Sequence, residues 1–193
     1  MRKEIIIASG NPGKIREVAQ ILNDYTIIPM SEAGIDIDVE EDKDTFKGNA
    51  TKKAEEIAKA LNGKFCIADD SGIEIEALDG FPGVFTKRWL DGTDRDRNLA
   101  LIQKLEGVPK EKRKIKFITA IAISNGSKTI CEEEIVQGYV TEEPRGENGF
   151  GFDEIFELEN GKTLAEISQE EKNEIGARRK AIERIRDRIK EIE

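Results

Sequence analysis

The chain opens on the apolar run Ile5-Ile6-Ile7-Ala8, whose length and β-branched content predict a buried strand over residues 4–8. From Lys14 the rhythm changes. Ile15, Val18, Ala19 and Leu22 recur at helical spacing, and Ser9-Gly10-Asn11-Pro12-Gly13 forms the loop between, giving a strand-loop-helix unit. A short strand over 25–29 and an acidic loop over 36–44 lead to a second helix, 45–62. Phe46, Ala50, Ala54, Ile57 and Leu61 mark one of its faces, and Gly63 ends it.

Two short strands are expected next, 64–69 and 72–76, then a loop around Gly80-Phe81-Pro82-Gly83 and a helix over 94–106. Residues 114–124 and 127–140 flank Asn125-Gly126, the strongest hairpin signal in the chain. A loop with Pro144, Gly146, Gly149 and Gly151 precedes a last strand, 154–158. Ser168-Gln169-Glu170-Glu171 reads as a capping box, and Ile182, Ile185, Ile189 and Ile192 return to helical spacing. The pattern predicts one mixed α/β domain over 1–193 that includes antiparallel strands, not a purely doubly wound sheet.

Composition narrows the chemistry. A chain of 193 residues without a long linker can bury about 70% of its unfolded surface. The two cysteines, Cys66 and Cys131, are far apart and form no CxxC pair; Cys66 lies in an apolar stretch and reads as a buried thiol, which favours a reducing compartment. The N-terminus lacks a signal-peptide pattern and no apolar run approaches a membrane span, so the expectation is a cytoplasmic protein without membrane contact. The sequence contains no histidine, which excludes Ser-His-Asp and Cys-His nucleophiles, His-ligated zinc and a histidine base. A net charge of -9 argues against a nucleic-acid partner. Charged residues at 37% suit the ion-pair-rich surface of a thermophile.

Chemistry must therefore come from carboxylates, Lys, Arg, hydroxyls or an oxygen-ligated metal. Ser9-Gly10-Asn11-Pro12-Gly13-Lys14 leaves a strand and opens a helix, where amides, the helix dipole and Lys14 favour an anion; a plain strand-helix turn is the alternative. It is not a Walker A loop, because two residues separate its glycines and Ile15 follows the lysine. In Ala68-Asp69-Asp70-Ser71-Gly72 adjacent carboxylates follow a buried strand, with Glu40, Glu41, Asp42 and Asp44 upstream. Oxygen donors of this kind suit Mg²⁺, although Asp-Ser-Gly is also ordinary turn chemistry. Alternation along a strand would give Asp69 and Asp70 different jobs, one facing a cleft and one orienting or capping backbone. Asn49 and Lys53, four apart on a polar stripe of the second helix, could reach one ligand or simply be solvated. In Phe150-Gly151-Phe152-Asp153 an aromatic beside small residues could stack on a base, while Phe152 taken alone reads as core. Lys172, Arg178 and Arg179 could serve phosphate or base edges.

Taken in order, these segments resemble the inosine/xanthosine triphosphate pyrophosphatase family. The resemblance is nearly full length and is carried by Ser9-Gly10-Asn11 with Lys14, by Glu41 with Thr45-Phe46 and Asn49-Ala50, by Ala68 to Gly72, by Pro82-Gly83 with Arg88, by Gly149 to Asp153, and by Glu171-Lys172-Asn173 before Arg178. It implies a long curved mixed sheet flanked by helices, two lobes around a central substrate cleft, and a homodimer. It implies hydrolysis of ITP, dITP and XTP to monophosphate and pyrophosphate, with Mg²⁺ (Mn²⁺ as a substitute) held by Glu41 and Asp70. Asp70 would also be the base. Ser9, Gly10, Asn11, Pro12, Gly13, Lys14 and Lys53 would hold the triphosphate. Ser71, Phe150, Gly151, Phe152, Asp153, Lys172 and Arg178 would complete the nucleotide site, with Phe152 near the base. One position departs: where the family reads Ser-His-Arg, this chain has Gly176-Ala177-Arg178, and Arg178 or Arg179 would have to compensate in reading the base.

Three other readings stay open on sequence alone. These are a pyrophosphatase for modified pyrimidine nucleotides, a non-catalytic nucleotide-binding module, and an interaction protein whose motifs are turns and solvated faces.

Overall fold

The computed structural model describes residues 2–193. Its elements are β1 (Glu4–Ile7), α1 (Pro12–Ile21), β2 (Thr26–Pro29), α2 (Phe46–Ala60), β3 (Phe65–Ile75), α3 (Asp94–Lys104), β4 (Lys114–Ser124), β5 (Thr129–Val140), β6 (Phe156–Glu157), α4 (Gln169–Ile175) and α5 (Ala177–Arg188). The strands form one six-stranded sheet in the order β2-β1-β3-β4-β5-β6. β1 pairs in parallel with both β2 and β3, Ile5 lying opposite Ile27 and Phe65, whereas β5 and β6 run antiparallel. The mixed α/β class expected from the pattern is the one observed.

Contacts divide the chain into two compact units. The first comprises Met1–Ser71, Thr119–Glu134 and Ala177–Glu193, and the second Gly72–Ile118 and Ile135–Gly176. In the first, Ile5, Ile7, Val18, Ile21, Ile67, Ile121 and Ile123 pack with Ala181, Ile182 and Ile185 of α5. Each fully buried side chain of this size contributes about 1.5–3 kcal/mol. A satellite cluster of Val39, Ile57, Ala58 and Cys66 pins the acidic loop at Val39. Burial pushes the Cys66 thiol up to about 12, so it stays a neutral packing group. In the second unit Ile73, Ile75, Leu101, Leu105, Ile115, Ile155 and Phe156 make the core.

Several boundaries differ from the sequence expectation for identifiable reasons. α1 begins at Pro12, before Lys14, because Asn11 caps it: its side chain accepts from the amides of Gly13 and Lys14. On that helix Ile21 is buried and Ala19 exposed, the inward face having drifted as a 3.6-residue period requires. The two short strands expected over 64–76 are one continuous strand of 11 residues. The turn propensity of Asp70-Ser71-Gly72 is overridden by the sheet: β1 accompanies β3 only as far as Ile67, and β4 is the neighbour on its other side. The last strand is only two residues long. Thr45 caps α2, and the capping box at Ser168 and Glu171 is present in full. No helix among the described residues is long and apolar enough to cross a membrane.

Candidate active site

In the first unit the loop after β1 is held by its own side chains. Ser9 Oγ accepts from the Asn11 amide at 3.2 Å, and Asn11 Oδ1 accepts from the amides of Gly13 and Lys14 at 2.8 and 3.3 Å. Pro12 occupies the first turn of α1, and a side chain at Gly10 would meet open space. Lys14 is turned toward β3, its Nζ 2.6 Å from Asp69 Oδ2. Arg178 on α5 reaches the same Asp69 oxygen at 3.6 Å and Glu17 at 3.6 Å. Lys53 donates from α2 to Glu41 at 2.5 Å and to the Asp69 carbonyl at 3.3 Å. Asp69 thus gathers Lys14, Lys53 and Arg178 around one strand position, which places full positive charges beside a helix N-terminus.

Asp70 is a buried carboxyl, 9% exposed, with different partners. Its Oδ2 accepts from Asn49 Nδ2 at 3.0 Å and its Oδ1 from the Ser71 amide at 3.0 Å. Asn49 is itself only 1% exposed, so the polar stripe of α2 turns inward here and is not a solvated face; Asn49 Oδ1 also accepts from the Lys43 amide at 2.9 Å, tying down the acidic loop. Burial raises the Asp70 pKa, Glu41 raises it further, and the Asn49, Lys53 and Ser71 contacts offset only part of this. For Asp69 burial also opposes ionisation, but Lys14 and Arg178 outweigh it and hold the carboxyl below its usual range. A carboxyl with a raised pKa is the better proton acceptor near neutrality.

Among the described residues no group of three or more Asp, Glu or Cys side chains converges as a ready-made metal cage. A Mg²⁺ site needs only one or two carboxylates, the remaining positions going to water and substrate phosphate. Glu41 and Asp70 fit that requirement: they supply oxygen donors only, and Glu41 lies near enough to Asp70 to raise its pKa, a repulsion that a divalent cation relieves. Ser71 Oγ and Arg178 Nε are buried without a hydrogen-bond partner, so polar capacity remains beside these residues.

The second unit holds the Gly149–Asp153 turn. Asp153 Oδ2 accepts from the Phe150 amide at 2.8 Å and pairs closely with Lys172. Gly149 has φ +85°, and a Cβ there would stand 2.1 Å from Asp153 Oδ2, so only glycine fits. The two aromatics separate cleanly. Phe152 is partly buried against the core, whereas Phe150 is 68% exposed with Lys172 Nζ 4.7 Å from its ring centroid. Of the two rings, Phe150 is the exposed one.

Most sequence-predicted positions gather into these two groups, one in each unit. Arg179 joins neither; it pairs with Glu183 along α5 at 3.1 Å, on the exposed side. Arg88 lies over the Phe85 ring at 5.3 Å. Ala177, the position of the departure, is buried at the start of α5. Sequence reasoning missed the cation-gathering role of Asp69, for which its place next to Asp70 on a strand was the available signal. It also missed Asp94 and Asn98, which contact the Gly149–Asp153 turn and carry no motif.

A model of the Ham1 family matches residues 5–188. The chain is 43% identical over 189 residues to the dITP/XTP pyrophosphatase of Bacillus subtilis (strain 168), covering 95% of each chain. It is 40% identical over 201 residues to that of Clostridium perfringens (strain 13 / Type A), covering 98% of each. Among solved structures, the Staphylococcus aureus Ham1 protein matches with a TM-score of 0.91 and 39% identity, over 99% of this chain and 100% of that one. A HAM1 protein from Coxiella burnetii matches with a TM-score of 0.89 and 35% identity, over 98% and 99%.

Proposed function

Because this chain belongs to the Ham1 family, we propose that it hydrolyses the deaminated purine nucleoside triphosphates ITP, dITP and XTP to the monophosphate and pyrophosphate, clearing them from the nucleotide pool. The observation that carries the chemistry is the pair of neighbouring carboxyls on β3: Asp70, buried and held by Asn49 and the Ser71 amide, beside Asp69, which pairs with Lys14 and Arg178.

In this reading Asp70 accepts the proton of a water that attacks the α-phosphorus, and pyrophosphate leaves. Lys14, Lys53 and Arg178, already oriented by Asp69 and Glu41, take up the triphosphate charge; each charge-assisted contact contributes about 1.5–3 kcal/mol. The amides and side chains of Ser9 to Lys14 line the phosphate end, with Asn49 holding Asp70 in place. Mg²⁺, with Mn²⁺ as a substitute, would be held by Glu41 and Asp70 and would supply neutralisation of phosphate oxygens and a lowered water pKa. Phe150 stacks on the base, while Phe152, Asp153 and Lys172 support its turn.

Base choice rests on hydrogen-bond polarity. Hypoxanthine and xanthine offer a 6-oxo acceptor and an N1-H donor where adenine offers the reverse, and a mismatched buried site can reject by about 10⁴-fold. Guanine shares that edge, so GTP is rejected at its 2-amino group. The same reading makes the enzyme a cytoplasmic homodimer.

The test is incubation of the protein with Mg²⁺ and ITP, dITP, XTP, GTP or ATP, following pyrophosphate and orthophosphate separately. Pyrophosphate from the first three is the expected result. Orthophosphate as primary product, or equal use of ATP and GTP, overturns it.

A further inference from the structure

Phe150 combines an exposed ring with a fully committed backbone. Its amide is held by Asp153, and the next residue, Gly151, is gripped at both ends from α3: its N–H donates to Asp94 Oδ2 at 3.0 Å, and its carbonyl accepts from Asn98 Nδ2 at 2.8 Å. Asp94 and Asn98 are one helical turn apart, so both side chains come off the same face of a rigid element.

The grip is directional. Asn98 is 0% exposed, and its second amide hydrogen donates to Glu154 Oε1 at 2.9 Å, while the other Glu154 oxygen pairs with Arg95 at 3.1 Å. Turning the Asn98 amide over would set its oxygen against two acceptors, which fixes the group with nitrogen toward Gly151. Gly151 has φ +65°, a conformation with alternatives open to glycine alone, and such a residue needs holding if the neighbouring ring is to keep one orientation.

We infer that Asp94 and Asn98 are positioning residues that hold the Gly151 backbone so that Phe150 presents its ring in one orientation for a purine base. The inference rests on the nucleotide reading above. Neither residue touches substrate; they act by removing, in advance, the ordering cost that binding would otherwise carry. Loss of the grip therefore weakens binding of substrate and transition state alike, which appears in KM and not in kcat.

The experiment compares wild type with Asp94→Ala, Asp94→Asn and Asn98→Ala, measuring ITP kinetics by pyrophosphate release with Mg²⁺, amide hydrogen exchange at Gly151, and thermal melting. Asp94 is exposed, so its variants fold even if Asn98→Ala does not. Asp94→Ala is expected to raise KM about fivefold, within the range of an ordering cost, with kcat held within about twofold and faster Gly151 exchange. Asp94→Asn, which keeps an acceptor, restores wild-type values. An active wild type with unchanged KM in Asp94→Ala, a fall confined to kcat, or failure of Asp94→Asn to restore KM overturns the inference alone. A wild type that releases no pyrophosphate from ITP overturns the nucleotide reading and the inference with it.

Discussion

Asp69 and Asp70 are consecutive on β3, and their carboxyl groups are shifted in opposite directions. Burial disfavours the charge on both. Asp69 overcomes it through Lys14 and Arg178, whereas Asp70 has Asn49 and the Ser71 amide for hydrogen bonds and Glu41 as a repelling neighbour. Strand alternation delivers the two to different surroundings, so one residue type does two jobs one position apart.

Asp70→Asn is expected to lower the rate of pyrophosphate release from ITP by at least about 10²-fold, the scale of lost general-base catalysis, while ITP still binds. Asp70 has a raised folded pKa, so its charged form costs stability above the unfolded value of 3.8, and that cost grows as pH rises through the folded value. The variant should therefore melt no lower than wild type at pH 7. Near-normal turnover would remove Asp70 from the chemistry.

Asp69→Asn acts in the other direction. A lowered folded pKa gives stability that is complete above the unfolded value of 3.8 and is lost as pH falls through the folded one. Removing this side chain from Lys14 and Arg178 should cost about 3 kcal/mol at pH 7, the scale for breaking a largely buried pair. Melting curves against pH should converge with wild type in acid, and KM for ITP should rise as the cations lose their anchor.

Phe150→Ala should leave stability within about 0.5 kcal/mol, because the ring is exposed. Stacking of a base on an aromatic is worth about 1–3 kcal/mol, so KM for ITP should rise about tenfold. Phe152→Ala should show the opposite signature, a lower melting temperature from core loss. Equal KM in wild type and Phe150→Ala would exclude stacking on this ring.

Gly149→Ala puts a Cβ 2.1 Å from Asp153 Oδ2 at a φ of +85°. The backbone strain alone costs about 1–3 kcal/mol, and the clash displaces the carboxylate that holds Lys172 and the Phe150 amide. A lower melting temperature together with loss of ITP turnover is expected; unchanged kinetics would mean that this turn does not serve the site.

Much of the fold was legible because its signals are local. The Asn125-Gly126 hairpin, the capping box at Ser168 and the isoleucine spacing of α5 are set by residues within a few positions of one another. The single strand β3 was not: Asp70-Ser71-Gly72 favours a turn by itself, and only its place in the sheet beside β4, a strand distant in sequence, makes it extended. The site divides the same way. Residues that donate chemistry lie in short motifs, while Asp94 and Asn98, which hold one of those motifs, carry none, and Asp69, though inside a motif, finds its Lys14 partner as far away in sequence as they find Gly151.

The sequence by itself determined the class of fold, the absence of histidine chemistry and the motif positions, because composition and short-range periodicity are properties of the unfolded chain as much as of the folded one. The tertiary structure decided which of two adjacent aspartates is paired with cations and which is left with a raised pKa, and which of two phenylalanines keeps a free face. Those outcomes depend on burial and on charges brought together from separate segments, and desolvation and Coulomb energy exist between such groups only once the chain has folded.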